Sequence, residues 1–214
     1  MKRLVLFLLL AAMPLQTCAS RAQEVIDRIV ARVENEVILL SDIAQLAEYQ
    51  IFVDGKAESD DQILERLIDQ WIVRTEAAAA RFPQPSDQDV QRSLARLKRS
   101  FSSPEAFEER KKQSGLMDDE ILRQLKSQLY LSNYLDSRFR ASIQIDDNAI
   151  AEFYKNRVVP RAESRGQTPP TLEAAHDFIQ EALVQRAINE QADKWLKESR
   201  SRVRVENLLN ENTK

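Results

Sequence analysis

Few residues in this chain are of types that carry out reactions, and their spacing decides what they do. His176 is the single histidine, so no histidine pair can form. On a helical segment without a visible partner group it reads as a surface or boundary residue, not a proton shuttle. Asp118-Asp119 and Asp146-Asp147 are carboxylate pairs of the kind used for acid–base work. Both stand where helix starts want negative charge, and both read as caps. No glycine-rich nucleotide loop and no serine–histidine arrangement occurs. The expectation is a protein that is not an enzyme, with no ATP, metal, cofactor or small-molecule substrate.

The one cysteine, Cys18, lies behind Met1-Lys-Arg and the apolar run Leu4 to Ala12. That run is too short to span a membrane, which takes about 20 residues. A charged start, a short apolar stretch and small residues ending at Ala22 form a secretion signal cleaved near Ala22. The chain is then expected in a bacterial periplasm. Leu15-Gln-Thr-Cys18 leaves open a second outcome, a lipoprotein anchored through Cys18. Cleavage at Ala22 removes the only thiol and with it disulfides and thiolate metal sites. It also removes Lys2, Arg3 and Arg21, so a net charge of −3 becomes −6. No basic excess remains for nucleic acid.

The elements that would position any site begin directly behind the signal. Val25, Ile29, Val33, Val37 and Leu39 flank Glu34-Asn35-Glu36, a hairpin whose turn Asn35 suits because asparagine tolerates the left-handed conformation. Ser41-Asp42 then offers an N-cap to a helix running from Ile43 to about Val53. The segment 62–81 carries Ile63, Leu64, Leu67, Ile68, Trp71 and Ile72 as a broad apolar stripe and stops at Phe82-Pro83. Ser86 with Asp89 caps a third helix, and Ser103-Pro104 opens a fourth that Gly115 stops. A long helix follows from Asp118 or Asp119 to about Phe139, then a short one after Ile145-Asp146-Asp147. Residues 157–170, with Pro160, Pro169 and Pro170, read as a loop or linker. A last helix from Thr171 to about Ser199 leads to a strand at Val203–Val205. An isolated hairpin is marginal in water, so that strand is expected to pair with it. The fold class is mostly α, with a small antiparallel sheet formed by the N-terminal hairpin and a C-terminal strand.

The ordered set ILERLIDQWIV (63–73), PSDQDVQRSLARL (85–97), SPEAFEER (103–110), DDEILRQLKSQLYLSNYL (118–135) and IDDNAIAEFYKNR (145–157) resembles the N-terminal chaperone domain of the SurA family. That family comprises periplasmic chaperones and parvulin-type prolyl isomerases. The resemblance runs from Val25 to Val205, and residues 171–205 look like the family's returning helix and strand. It implies this division: 1–22 signal peptide, 23–157 chaperone region, 158–170 linker where relatives insert parvulin domains, 171–206 returning helix and strand, and 207–214 polar tail. The slot is too short for an isomerase, since a domain takes at least about 50 residues.

By this resemblance the chain is a helical chaperone core that binds unfolded or partly folded polypeptides without ATP, outer-membrane protein precursors among them. Adaptable aromatic, aliphatic and Met side chains suit such binding, and the candidates are Phe101, Phe107, Leu116, Met117, Tyr130 and Tyr134. Each is more simply readable as core, since apolar residues on helices are usually buried. Two other readings stay open: a dedicated assembly partner of one envelope protein, and a peptidyl-prolyl isomerase.

Overall fold

The computed structural model describes residues 27–210. The signal at 1–22, Cys18, Val25 and residues 211–214 lie outside the described residues. Two strands, β1 (Ile29–Val33) and β2 (Glu36–Leu39), form the hairpin, and β3 (Val205–Asn207) pairs antiparallel with β1, giving the order β2-β1-β3. Ala31, Arg32 and Val33 face Asn207, Glu206 and Val205. A register shift between Ile29 and Ala31 breaks strict alternation, and the neighbours Val30 and Ala31 are both buried. On the outer face Arg32 and Glu206, directly opposite each other, form a 2.9 Å ion pair.

The left-handed turn residue is Glu34 (φ 52), not Asn35. Its strain is offset by contacts to the returning chain. The Glu34 amide donates to the Arg204 carbonyl (3.0 Å), and the Arg204 amide donates to Glu34 Oε1 (2.7 Å). The closing strand also starts later than Val203. Chain beyond it is not a polar tail throughout, because the Leu208 amide donates to the Val30 carbonyl (2.9 Å) and Leu209 is buried in the core. Two adjacent leucines between polar residues give no periodic signal, so only the strand pairing reveals that Leu209 enters the core.

Helix α1 (Leu40–Asp54) begins earlier than Ile43, and Ser41 is not its cap. The Leu39 amide donates to Asp42 Oδ2 (2.8 Å), which reaches back to the helix start. Ser59 with Gln62 caps α2 (Asp60–Ala79), Ser86 with Asp89 caps α3 (Asp87–Ser100), and Ser103 caps α4 (Pro104–Ser114). In α5 (Asp118–Phe139) the capping carboxylate is Glu120, which accepts from the Met117 amide (2.7 Å). Asp118 and Asp119 pair instead with Lys111 and Arg123. Asp146 does cap α6 (Asp147–Phe153), accepting from the Ala149 amide (2.7 Å).

Much of the expected linker is helical. A wide π turn (Tyr154–Val158) joins α6 to α7 (Val159–Glu163). Pro160 lacks an amide and its ring would collide with the carbonyl four residues back, at Asn156. The widened turn relieves this, with the Val159 amide donating to the Tyr154 carbonyl five residues back. Residues 164–171 remain as a loop. The Tyr154 hydroxyl donates to the Pro170 carbonyl (2.6 Å) and fastens that loop. Thr171 then caps α8 (Leu172–Arg200).

Three apolar clusters organise these elements. The main core joins the sheet, α1, α2, the second half of α5 and the end of α8 through Ile63, Leu64, Ile68, Trp71, Ile72 and Trp195. A second cluster surrounds Phe52 with Tyr49, Val90, Phe107, Leu116, Ile121 and Leu125. A third, smaller one lies between α6 and the first half of α8 around Ile150, Ala175 and Ile179. Arg200 ties α8 to α2 by donating to Asp69 Oδ1 (2.7 Å) and the Glu65 carbonyl (2.6 Å). Arg138 lies over the rings of Trp195 (4.9 Å), Phe139 (5.7 Å) and Tyr134 (6.0 Å), joining α5 to α8.

Candidate functional site

A cleft of about 970 Å³ lies between the main core and the cluster around Phe52. Four helices and one connection supply its wall. Helix α1 brings Leu46, Tyr49, Gln50 and Val53, and α2 brings Gln62, Arg66 and Gln70. Helix α3 adds Ser93, Arg96 and Leu97, and α5 adds Leu125 and Gln128. The lining therefore combines aliphatic and aromatic side chains with neutral amides and with the charged groups of Asp54, Lys56, Glu58, Arg66 and Arg96.

Local sequence explains why the cleft stays open. Gly55 ends α1 in the left-handed conformation (φ 81), and its amide donates to the Ile51 carbonyl (2.9 Å). A side chain there would strain the backbone. It would also place a Cβ 2.9 Å from Arg110 Nη1, which itself donates to the Ile51 carbonyl (3.1 Å). The chain then turns through residues 56–59 and is latched to both helices. Gln50 Nε2 donates to Glu58 Oε2 (2.9 Å), the Glu58 amide donates to Gln50 Oε1 (2.9 Å), and Arg66 donates twice to the Glu58 carboxylate. Those hydrogen bonds, from Arg66 first and then Gln50, hold the Glu58 carboxyl down at about 2. On the opposite wall the Tyr49 hydroxyl lies 3.4 Å from Gln128 Oε1. Burial pushes that phenol up to about 12, so it stays a neutral donor.

Gln62 is committed to capping α2. The side chains of Gln70 and Ser93 have no hydrogen-bond partner within the described residues. Amide and hydroxyl groups that both donate and accept, set above an apolar floor, can satisfy main-chain amides and carbonyls whatever the bound sequence. A smaller hollow of about 270 Å³ continues the cleft, sharing Leu46 and Gln70 and reaching Leu116, Glu120 and Gln124. No group of three metal-ligating side chains stands together among the described residues.

The six residues singled out from sequence do not converge on one surface. Tyr130 and Tyr134 are buried in the main core against Phe82, at ring distances of 6.0 and 5.6 Å. They hold the fold and cannot line a groove in this conformation. Phe107 and Leu116 are buried in the second cluster. Phe107 packs edge-on to Phe52 (5.2 Å) and to Phe101 (5.3 Å), and Phe101 is half-buried. The Phe101 and Phe107 rings border a separate hollow of about 360 Å³ with Lys98, Ser103 and Pro104. Leu116 borders the smaller hollow beside the cleft. Met117 is well exposed, at 61% of its surface. His176 is half-exposed on α8, beside Asp177 (3.1 Å).

Sequence reasoning missed Tyr49, Gln50, Gln70, Ser93 and Gln128. Their only signal is polar residues beside an apolar stripe, which any solvated helix edge also shows. No protein-family model matches this chain, and no curated protein matches it.

Proposed function

We propose that this protein is an ATP-independent chaperone of the periplasm that holds unfolded polypeptides, outer-membrane protein precursors among them, in the cleft between α1, α2, α3 and α5. The observation that carries this reading is the cleft itself. It offers unpaired Gln70 and Ser93 above Leu46, Tyr49, Val53, Leu97 and Leu125. Its volume, about 970 Å³, is at the upper end of ordinary ligand pockets and takes several residues of an extended chain. Client side chains would gain by leaving water, while the amides would compensate the client's own main chain. Such binding favours no particular sequence and needs no nucleotide. The SurA-like resemblance of the sequence supports the same reading, and an export signal before Ala22 would deliver the chain to the periplasm.

The test is light scattering from a denatured outer-membrane protein diluted with and without this protein. Suppression near stoichiometric amounts is expected. Ser93→Trp fills the cleft from a partly exposed position on α3 and should abolish suppression while leaving the melting temperature unchanged. A folded wild-type protein that suppresses nothing, or a Ser93→Trp variant as active as wild type, would overturn the reading.

A further inference from the structure

We propose that a second groove, between α7 and the first half of α8, docks an acidic, apolar segment of another polypeptide. The groove has a volume of about 450 Å³ and lies on elements that contribute nothing to the central cleft. Its floor is Phe153, Val158, Ala162, Phe178 and Ala182, and every charged residue that lines it is an arginine: Arg157, Arg161 and Arg165.

Three observations combine. The wide turn before Pro160 carries α7 past α8 without filling the space between them. Phe178 and Ala182, one helical turn apart on α8, face into that space, and Phe178 is 73% exposed, more than any other large apolar side chain described. A phenylalanine left this open beside a concave apolar surface is the expected anchor point of a docked segment.

The charge points the same way, since no carboxylate lines the groove. Some arginines elsewhere are paired with carboxylates: Arg66 with Glu58, Arg140 with Asp136 and Glu181, Arg200 with Glu65 and Asp69. Arg157, Arg161 and Arg165 are exposed and make no ion pair among the described residues. They concentrate positive charge in a chain whose net charge is −3. Guanidinium groups recognise carboxylates through paired hydrogen bonds. Arg157 and Arg161, four residues apart, would meet acidic side chains spaced along a peptide while Phe178 and Val158 take an intervening apolar one. The bond from Tyr154 to Pro170 (2.6 Å) closes the loop that carries Arg165. A concave floor between helices fits a protruding peptide better than a flat lipid surface.

The experiment is fluorescence anisotropy with the full protein and a fluorescein-labelled peptide of repeating Glu-Phe-Asp-Leu, against the same peptide with Lys in place of the acids. The acidic peptide should bind and the Lys peptide should bind about tenfold more weakly or not at all. Phe178→Ala should weaken the acidic peptide by about tenfold, the loss expected for an exposed ring that becomes buried on binding. The double variant Arg157→Glu with Arg161→Glu should reverse the preference toward Lys. All three positions are exposed, so the variants should keep the wild-type circular dichroism spectrum. Ser93→Trp, which blocks the cleft, should leave this binding intact, so loss of the holdase reading and loss of this groove are separable. Absence of binding, unchanged affinity in Phe178→Ala, or loss only in Ser93→Trp would overturn the proposal. Binding to phosphatidylglycerol vesicles with none to the peptide would also overturn it.

Discussion

Leu209→Ala tests whether the returning strand closes the core. Leu209 is buried in the cluster that holds Trp71 and Trp195, and its position is fixed by the preceding Leu208 amide on the Val30 carbonyl and by its own amide on Asn207 Oδ1 (both 2.9 Å). Truncating a buried leucine costs about 2–5 kcal/mol, the lower half applying where the surroundings can relax into the space. A side chain at the rim of a three-strand sheet belongs to that lower half, so about 3 kcal/mol is expected. With a urea slope of about 2 kcal/mol per M, the midpoint should fall by about 1.5 M. Trp71 and Trp195 make intrinsic fluorescence a direct reporter of this core. Val205→Ala, at a more exposed strand position, serves as the control and should move stability by less than about 0.5 kcal/mol. A Leu209→Ala midpoint within about 0.3 M of wild type, at an unchanged slope, would refute the argument.

Phe52 is the fully buried hub of the second cluster, within 5.2–6.2 Å of the rings of Phe107, Phe101 and Tyr49. Phe52→Ala should cost about 3–5 kcal/mol and speed amide exchange in α3 and α4 before the sheet, and uniform acceleration would contradict separate clusters. Glu58 and Glu181 are both held near 2, from an ordinary value near 4.5, by hydrogen bonds from Arg66 and Arg140. The unfolded chain takes up those protons first, so their contribution is complete above about pH 4.5 and is lost as pH falls toward 2. Urea midpoints from pH 7 to 2 should show this decline, and Glu58→Gln should make it shallower; an unchanged profile would show that the latch does not titrate with folding. Pro160→Ala returns the missing amide to the wide turn and should leave stability equal or higher. A loss of about 1 kcal/mol or more would mean that proline is not the cause of that turn.

The parts of the fold with local signatures were readable in the sequence. Ser86, Ser103 and Thr171 each cap the helix that follows, and Gly115 stops α4 in the left-handed conformation (φ 76). The mostly α architecture and the pairing of hairpin and C-terminal strand follow from the same reading. What escaped depends on distant contacts. Glu34 accepts a left-handed turn because Arg204 meets it from the far end of the chain. Pro160 suggested a loop, but widening one turn lets the helix pass it. The cleft was illegible for a similar reason. Tyr49, Gln70, Ser93 and Gln128 come from four helices, and no helix alone distinguishes a cleft wall from a wet surface. Aromatic type pointed to Tyr130 and Tyr134, yet large rings serve equally as core, and here both are buried beside Phe82.

The sheet order β2-β1-β3 joins Arg32 to Glu206 across 174 positions of chain. Closing a loop of that length costs about 4–5 kcal/mol before any contact within it is counted. During synthesis from the N-terminal end, α2 therefore emerges long before α8 and β3 can complete the core around Ile63, Leu64 and Ile68. Until residue 209 is free, the chain presents the same kind of open apolar surface that a holdase shields in others. Closure of the main core thus waits on its last described segment, which brings Leu209 into it.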